Sequence, residues 1–288
     1  MNEEGTVRAV MAALDGSDYG AAAGEYALDF AQRLHASLAA VHVVDRRMLE
    51  GPFLADLSGS VGALPYGNEL TNIRNILEER GRTILEAYRN RAAERGLEAG
   101  TRLEEGLPVR ALLRSEEDAD LLVFGQRGDQ AEASADLPGS TAERLIRRSA
   151  RPCLVTPRSF VSVQRIMTAY DGSGPSRHAL QRAADLARGL EADMVVVTVA
   201  EPGGGEEEDA AHATLQEGKT LAAEAGVHPR GRIAKGDPQT VLPEAAAGEE
   251  CQMLALGVSH HSWLSEHLVG SLSLRMVHET HLPVLLVR

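Results

Sequence analysis

Val10-Met11-Ala12-Ala13-Leu14-Asp15-Gly16-Ser17, near the start of the chain, returns in the second half as Ile166-Met167-Thr168-Ala169-Tyr170-Asp171-Gly172-Ser173. Each copy is a short apolar run that stops at an acidic residue, a glycine and a serine, and each leads into an alanine-rich helical stretch. A second pair lies downstream, where Leu121-Leu122-Val123-Phe124-Gly125 is answered by Met253-Leu254-Ala255-Leu256-Gly257. Both of these runs lead to a Gly-Ser pair, Gly139-Ser140 and Gly270-Ser271, and then to another helix. Repetition with copies of domain size implies two similar folds in tandem, not a solenoid of short units.

Working outward, the first half reads as alternating strands and helices. Strands are expected near Val7–Leu14, Ser37–Val44, Ala99–Glu104, Asp120–Phe124 and Cys153–Thr156. Helices are expected near Tyr19–His35, Leu70–Arg95, Val109–Asp118 and Ser140–Ser149. The second half repeats the order, with strands near Arg165–Tyr170, Asp193–Val199, Arg230–Ala234, Gln252–Leu256 and Val284–Val287. Short continuous apolar strands fit a parallel sheet covered on both faces, and the alternation predicts an α/β, doubly wound fold with helices on both faces. Residues 1–158 and 163–288 are the two expected domains, divided at the segment after Pro157. Asp15 and Asp171 are 156 positions apart but Gly106 and Gly236 only 130, so the first copy carries about 26 extra residues (156 − 130) between its second and third strands. That surplus falls largely in Asp45–Glu69, read as a long loop; the matching Glu201–Asp209 reads as a solvated, mobile loop.

Bulk properties remove several classes. A length of 288 residues with 43% hydrophobic content is enough for two cores without staples. Cys153 and Cys251 form neither a disulfide framework nor a metal spacing, and read as buried thiols. A formal charge of −13 argues against a nucleic-acid surface. No apolar run reaches the ~20 residues that cross a bilayer, and Glu3 and Glu4 do not suit a signal peptide. The expectation is a soluble, cytoplasmic protein without membrane or nucleic-acid partners.

In an open parallel sheet, ligands bind beyond the carboxyl ends of strands where the strand order reverses. Asp15 and Gly125 close two such strands, and Gly139, Ser140 and Thr141 open a helix whose unpaired N–H groups favour an anion. The same Gly-Ser pair also suits a plain helix cap, with Glu143 three positions after Ser140. Strand, Asp-Gly-Ser, helix, then Gly-x-x-Gly, about nine residues and Gly-Ser, resembles the universal stress protein family in its tandem form, over almost the whole chain. Glu105-Gly106-Leu107-Pro108, Lys235-Gly236-Asp237-Pro238, Arg151-Pro152-Cys153 and Leu282-Pro283-Val284 carry further parts of the likeness.

The resemblance implies five-stranded parallel sheets of order 3-2-1-4-5, fifth strands that pair between domains, a possible homodimer, and a regulatory module that holds an adenine nucleotide (ATP, ADP or AMP) with magnesium. It also implies roles in the first half. Asp15 faces the adenosine end, Val41 offers backbone to adenine, Gly125 and Gly128 admit ribose and phosphates, and Gly139, Ser140 and Thr141 hold the phosphate tail. Arg127 is the cation of Gly125-Gln126-Arg127-Gly128 and either reaches the phosphates or points to solvent. Asp171, Gly257, Gly270 and Ser271 are the lesser, second-half candidates, because His260 replaces the second glycine. His260, His261 and His267 match no metal spacing, and no metal site is expected. The ten residues between Gly128 and Gly139 carry Asp129, Glu132 and Asp136 and no Lys or Arg. Each like-charge pair at ~8 Å costs roughly 0.5 kcal/mol in water-like dielectric, so this loop opposes a triphosphate. Two other classes stay open: an interaction scaffold that holds no nucleotide, and a slow ATPase. No Gly-Lys-Ser phosphate loop, placed general base or acidic metal pair favours the enzyme.

Overall fold

The computed structural model describes residues 7–47, 66–128, 140–200, 204–258 and 272–288, with side chains from Thr71 onward in the second helix and from Thr141 in the fourth. The strands are β1 (Ala9–Ala13), β2 (Ser37–Asp45), β3 (Ala99–Gly106), β4 (Leu121–Gly125), β5 (Cys153–Thr156), β6 (Arg165–Ala169), β7 (Asp193–Ala200), β8 (Arg230–Lys235), β9 (Met253–Gly257) and β10 (Val284–Val287). The helices are α1 (Asp18–Leu34), α2 (Tyr66–Glu94), α3 (Pro108–Ser115), α4 (Ser140–Arg148), α5 (Gly174–Gly189), α6 (Gly205–Glu224), α7 (Pro238–Gly248) and α8 (Leu272–Glu279).

Each half has the order 3-2-1-4-5, and the halves join into one ten-stranded sheet, β3-β2-β1-β4-β5-β10-β9-β6-β7-β8. All neighbours are parallel except at the seam, where β10 runs antiparallel to β5 with Leu285 opposite Leu154. The fifth strands are thus consumed within the chain. β1 lies between β2 and β4, so the order reverses beside Asp15 in the first half, and β6 does the same beside Asp171 in the second.

The apolar residues divide by sheet face, each face carrying a core that runs through both halves. One face gathers α1, α5, Tyr26, Phe30, Leu154, Tyr170, Leu180 and Leu285. The other gathers Leu122, Leu145, Ile146, Val155, Met167, Leu254, Met276 and Leu286. Alternate residues of the seam strands face opposite sides of the sheet, which puts Leu154 in one core and Val155 in the other. The connecting segment is packed as well: Phe160 meets Tyr26 edge-on at 4.8 Å, and Val161 N donates to the Tyr26 hydroxyl at 3.2 Å. Arg33 donates to Val163 O at 2.8 Å and also to Leu190 O, fastening α1 to both the linker and the second half.

Three expectations are corrected. Glu201–Asp209 is not a loop throughout, because α6 begins at Gly205. Glu206, Glu207 and Glu208 fill its first turn, where carboxylates meet the positive end of the helix dipole. The stretch Asp45–Glu69 loses both ends to regular structure: Asp45 closes β2, and α2 starts at Tyr66, four residues before Leu70. Its residues 48–65 lie outside the described ones. The single helix expected over Val109–Asp118 is α3 followed by a 3₁₀ turn, Glu116–Asp118. There the buried Glu116 carboxylate turns to Ser149 Oγ and Ala150 N, at 2.5 and 3.0 Å. Both cysteines are buried, and burial pushes the Cys153 thiol up to about 12 and the Cys251 thiol up to about 11, which leaves them inert at neutral pH.

Candidate functional site

The Asp-Gly-Ser turn is built the same way twice. Asp15 Oδ1 accepts from Ser17 N at 3.0 Å and from Ser17 Oγ at 2.7 Å, while Ser17 Oγ accepts from Gly20 N and caps α1. Asp171 Oδ1 accepts from Ser173 N at 2.9 Å, and Ser173 caps α5 by accepting from Ser176 N. Partial burial opposes ionisation of Asp171, but hydrogen bonds from Ser173 and Ser176 outweigh it and hold the carboxyl below its ordinary value. Between acid and serine the backbone turns left-handed, with φ +83° at Gly16 and +81° at Gly172. That conformation is why glycine stands there.

Beneath the turn, the last carbonyl of the strand is satisfied from β2 or its counterpart. His42 Nδ1 donates to Leu14 O at 2.7 Å, and Thr198 Oγ1 donates to Tyr170 O at 3.0 Å. His42 therefore serves the strand end. Val41 is buried, and its carbonyl accepts from Leu14 N at 2.9 Å, as Val197 O does from Tyr170 N.

Gly125 and Gly128 differ in what their missing side chains permit. A Cβ on Gly125 would lie 2.6 Å from Tyr19 Cβ and 2.9 Å from Tyr19 C. A Cβ on Gly257 would lie 2.7 Å from Ser176 N and closer still to the Pro175 carbonyl. These two glycines let α1 and α5 start against the strand end, a packing task that the sequence could not separate from ligand approach. Gly128 faces the crevice: a Cβ there would lie 3.0 Å from Asp15 Oδ2. The two motifs thus meet across the β1/β4 switch point.

The charge of Arg127 is felt in the second half. Its neighbour Gln126 is buried and donates through Nε2 to Val277 O at the end of α8. Arg127 itself comes near His278, also on α8. Burial first, then the Arg127 charge, lower the His278 pKa against the opposing pull of Glu143 and Glu279. A histidine depressed in the folded state takes up its proton earlier when unfolded, near pH 6.5. Its contribution is complete above that value and is lost as pH falls toward the folded pKa. His278→Gln should therefore shrink the drop in melting temperature between pH 7 and pH 5. An unchanged pH profile would remove the assigned role. The reciprocal contact is Arg288, which donates to Ile146 O at 3.2 Å and to Arg147 O at the end of α4.

Thr141 sits half-buried in the first turn of α4, and Ser140 opens that helix. In the second half the start of α8 is tied to the strand end by Ser273 Oγ donating to Gly257 O at 3.2 Å. Gly139, Gly270, Ser271 and the three histidines of the second loop lie outside the described residues, as do Asp129, Glu132 and Asp136. Among the described residues no group of three or more His, Cys, Asp and Glu side chains could hold a metal ion, and no helix is long and apolar enough to cross a membrane. Sequence reasoning passed over two residues: Gln126, and Arg80 of α2, whose Nη2 would lie 3.4 Å from a Cβ on Gly16.

The profile of the Universal stress protein family matches residues 6–157 and again 162–288. Universal stress protein Slr1230 of Synechocystis sp. is 26% identical over 288 residues, which is 97% of this chain and 99% of the relative. Universal stress protein MJ0531 of Methanocaldococcus jannaschii is 30% identical over 159 residues, 54% of this chain and 86% of the relative. A solved universal stress protein from Archaeoglobus fulgidus DSM 4304 shares the fold, with a TM-score of 0.73 at 16% identity and 98% of each chain covered. With both halves matched and the turn and strand order repeated in each, the chain belongs to the universal stress protein family as a tandem of two domains.

Proposed function

We propose that the protein is a regulatory module that binds an adenine nucleotide, with magnesium, in the crevice of its first half. The observation that carries this reading is the approach of Gly128 to Asp15 across the β1/β4 switch point. Such a crevice is where open α/β sheets take their ligands, and a residue without a side chain leaves backbone N–H groups free to face an anion. Asp15 and Gly128 bound it, and in this proposal adenine goes to the backbone at Val41 and the phosphate end to Gly139, Ser140 and Thr141. Gly125 contributes by seating α1. The second half keeps the same turn at Asp171 and the same seat at Gly257, but the residue that answers Gly128 is His260, so the first half is the nucleotide-bearing one.

An interaction scaffold without nucleotide is the competing reading. It is favoured by Arg127, the cation of the glycine motif, lying near His278 at the domain boundary. Denaturing the purified protein and identifying released nucleotide by mass spectrometry separates the two. About one adenine nucleotide per chain is expected, and none, with no uptake of added magnesium and ATP, leaves the scaffold. Gly128→Val should abolish uptake with an unchanged melting temperature, because its new methyls would fill the space beside Asp15 Oδ2. Undiminished affinity in that variant would defeat the proposed crevice.

A further inference from the structure

The seam uses the fifth strands within one chain, so a second copy must be met by another surface. One face of the sheet is covered by α3, α4, α7 and α8, whose inner residues share a core. On it α3 packs on β2 and β3 with α4 beside it, and α7 packs on β7 and β8 with α8 between it and β10. The face therefore has a flank from each half, meeting at the seam.

The two flanks differ in charge. Helices α3 and α4 carry Arg110, Arg114, Arg144, Arg147 and Arg148 against one carboxylate, Glu143. Val109, Leu112, Leu145 and Ile146 fill the core below, which leaves all five arginines exposed. Among the described residues, the side chains of Arg110, Arg144 and Arg148 have no ion pair or hydrogen bond. The repeat puts other residues at the matching positions of the second half. Counted from Gly106 and Gly236, Arg110 is answered by Thr240 and Arg114 by Glu244. Counted from Leu145-Ile146 and Met276-Val277, Arg144 is answered by Arg275 but Arg148 by Glu279. Arg275 and Glu279 pair with each other. Asp237, which caps α7, and Glu244 are exposed and have no ion pair within 4.0 Å among the described residues. A chain of formal charge −13 thus keeps a basic flank beside an acidic one on a single face.

Such a face can complement itself. The seam is antiparallel, so α7 runs opposite to α3. A two-fold axis along the strands at the seam sets the first half of each copy over the second half of the other. Helix α3 then meets α7 of the second copy antiparallel, with its Arg114 end toward Asp237 and its Arg110 end toward Glu244. An axis across the strands would lay basic flank on basic flank, which repulsion disfavours. We propose that a second copy of the chain docks on this face, the α3 and α4 arginines of each copy meeting the α7 carboxylates of the other. The contact is isologous and closes at two copies. Exposed ion pairs each contribute little, so the dimer is weak and salt-dependent. It is independent of the nucleotide reading.

The test is sedimentation velocity of the full chain over a concentration series, at about 0.05 M and about 0.5 M salt. The wild type should dimerise at the lower salt, with a dissociation constant at least about tenfold higher at the upper one. Arg110→Glu should weaken the dimer about tenfold, because its pair occurs twice, and Glu244→Arg should do the same. A chain with both changes should regain the wild-type dimer, since the pair returns with its signs exchanged. Neither side chain has an ion pair within the chain, so each melting temperature should stay within about 2 °C of wild type. A dimer indifferent to salt and to Arg110→Glu would place the contact on another surface and overturn the proposal. Failure of the double variant to regain the dimer would overturn it as well. A wild type still monomeric at about 0.1 mM and low salt would do the same, and would leave the basic flank to a different acidic protein.

Discussion

Gly257→Ala is expected to lower the melting temperature by roughly 10 °C, for an overpacking cost of ~3 kcal/mol at a few degrees per kcal/mol. The new methyl would lie 2.7 Å from Ser176 N and closer to the Pro175 carbonyl, and neither can yield by rotating a side chain. Relief requires the first turn of α5 to lift from β9. That would strain the Ser173 cap and uncover part of the core beneath Ala179 and Leu180. Gly174→Ala, only one residue from Pro175, is the matched control. Nothing lies within 4 Å of a Cβ there, so the change should be neutral or stabilise by about 0.5 kcal/mol through the unfolded chain. A melting temperature within 2 °C of wild type for Gly257→Ala would show that helix and strand do not approach so closely. It would also return Gly257 and its counterpart Gly125 to the role of ligand approach.

This contrast bears on how much of the molecule was legible beforehand. Strands such as Leu121–Gly125 could be read because a parallel strand covered on both faces must be apolar at every position, and four of those five residues are fully buried. The strand order was carried by the family resemblance, since apolar runs say nothing about which strand lies beside which. Helix α6 was harder. Its buried stripe is Ala211, Leu215, Gly218 and Ala222, so a helical period is present but made mostly of small residues. Beside it, the Glu206–Asp209 run has the composition of a solvated loop. At the site, the turn residues announced themselves through Asp-Gly-Ser. Contacts across long sequence distances did not: no local pattern tells that Arg80 of α2 rests at Gly16, or that Gln126 reaches α8. Gly125 and Gly128 look alike in sequence, and only the position of Tyr19 separates a seat for a helix from a wall of a crevice.

The two halves should unfold together, and Leu285→Asp should bring both down. Leu285 and Leu154 face each other across the antiparallel seam, and neither is exposed to solvent. Both belong to the core that also takes in α1 and α5, so the apolar surface of one half is buried partly by the other. Gly189 of α5 seats Leu34 of α1, since a Cβ on Gly189 would lie 2.5 Å from Leu34 Cδ2. Arg33 and Arg288 add hydrogen bonds from each half to helix-terminal carbonyls of the other. A carboxylate at position 285 has no cation opposite it in this register, and its burial is expected to cost ~4 kcal/mol or more. That is a large part of the 5–15 kcal/mol typical of folded domains. Scanning calorimetry should show one transition in the wild type and one, well below it, in the variant. Leu107→Asp, at a position already 41% exposed, should move it by little. Two transitions in Leu285→Asp, with one at the wild-type temperature, would mean that each half stabilises itself and that the seam joins finished domains. A single displaced transition would mean that the sheet is one cooperative unit, in which a change at one crevice has a direct path, through β4, β5, β10 and β9, to the other.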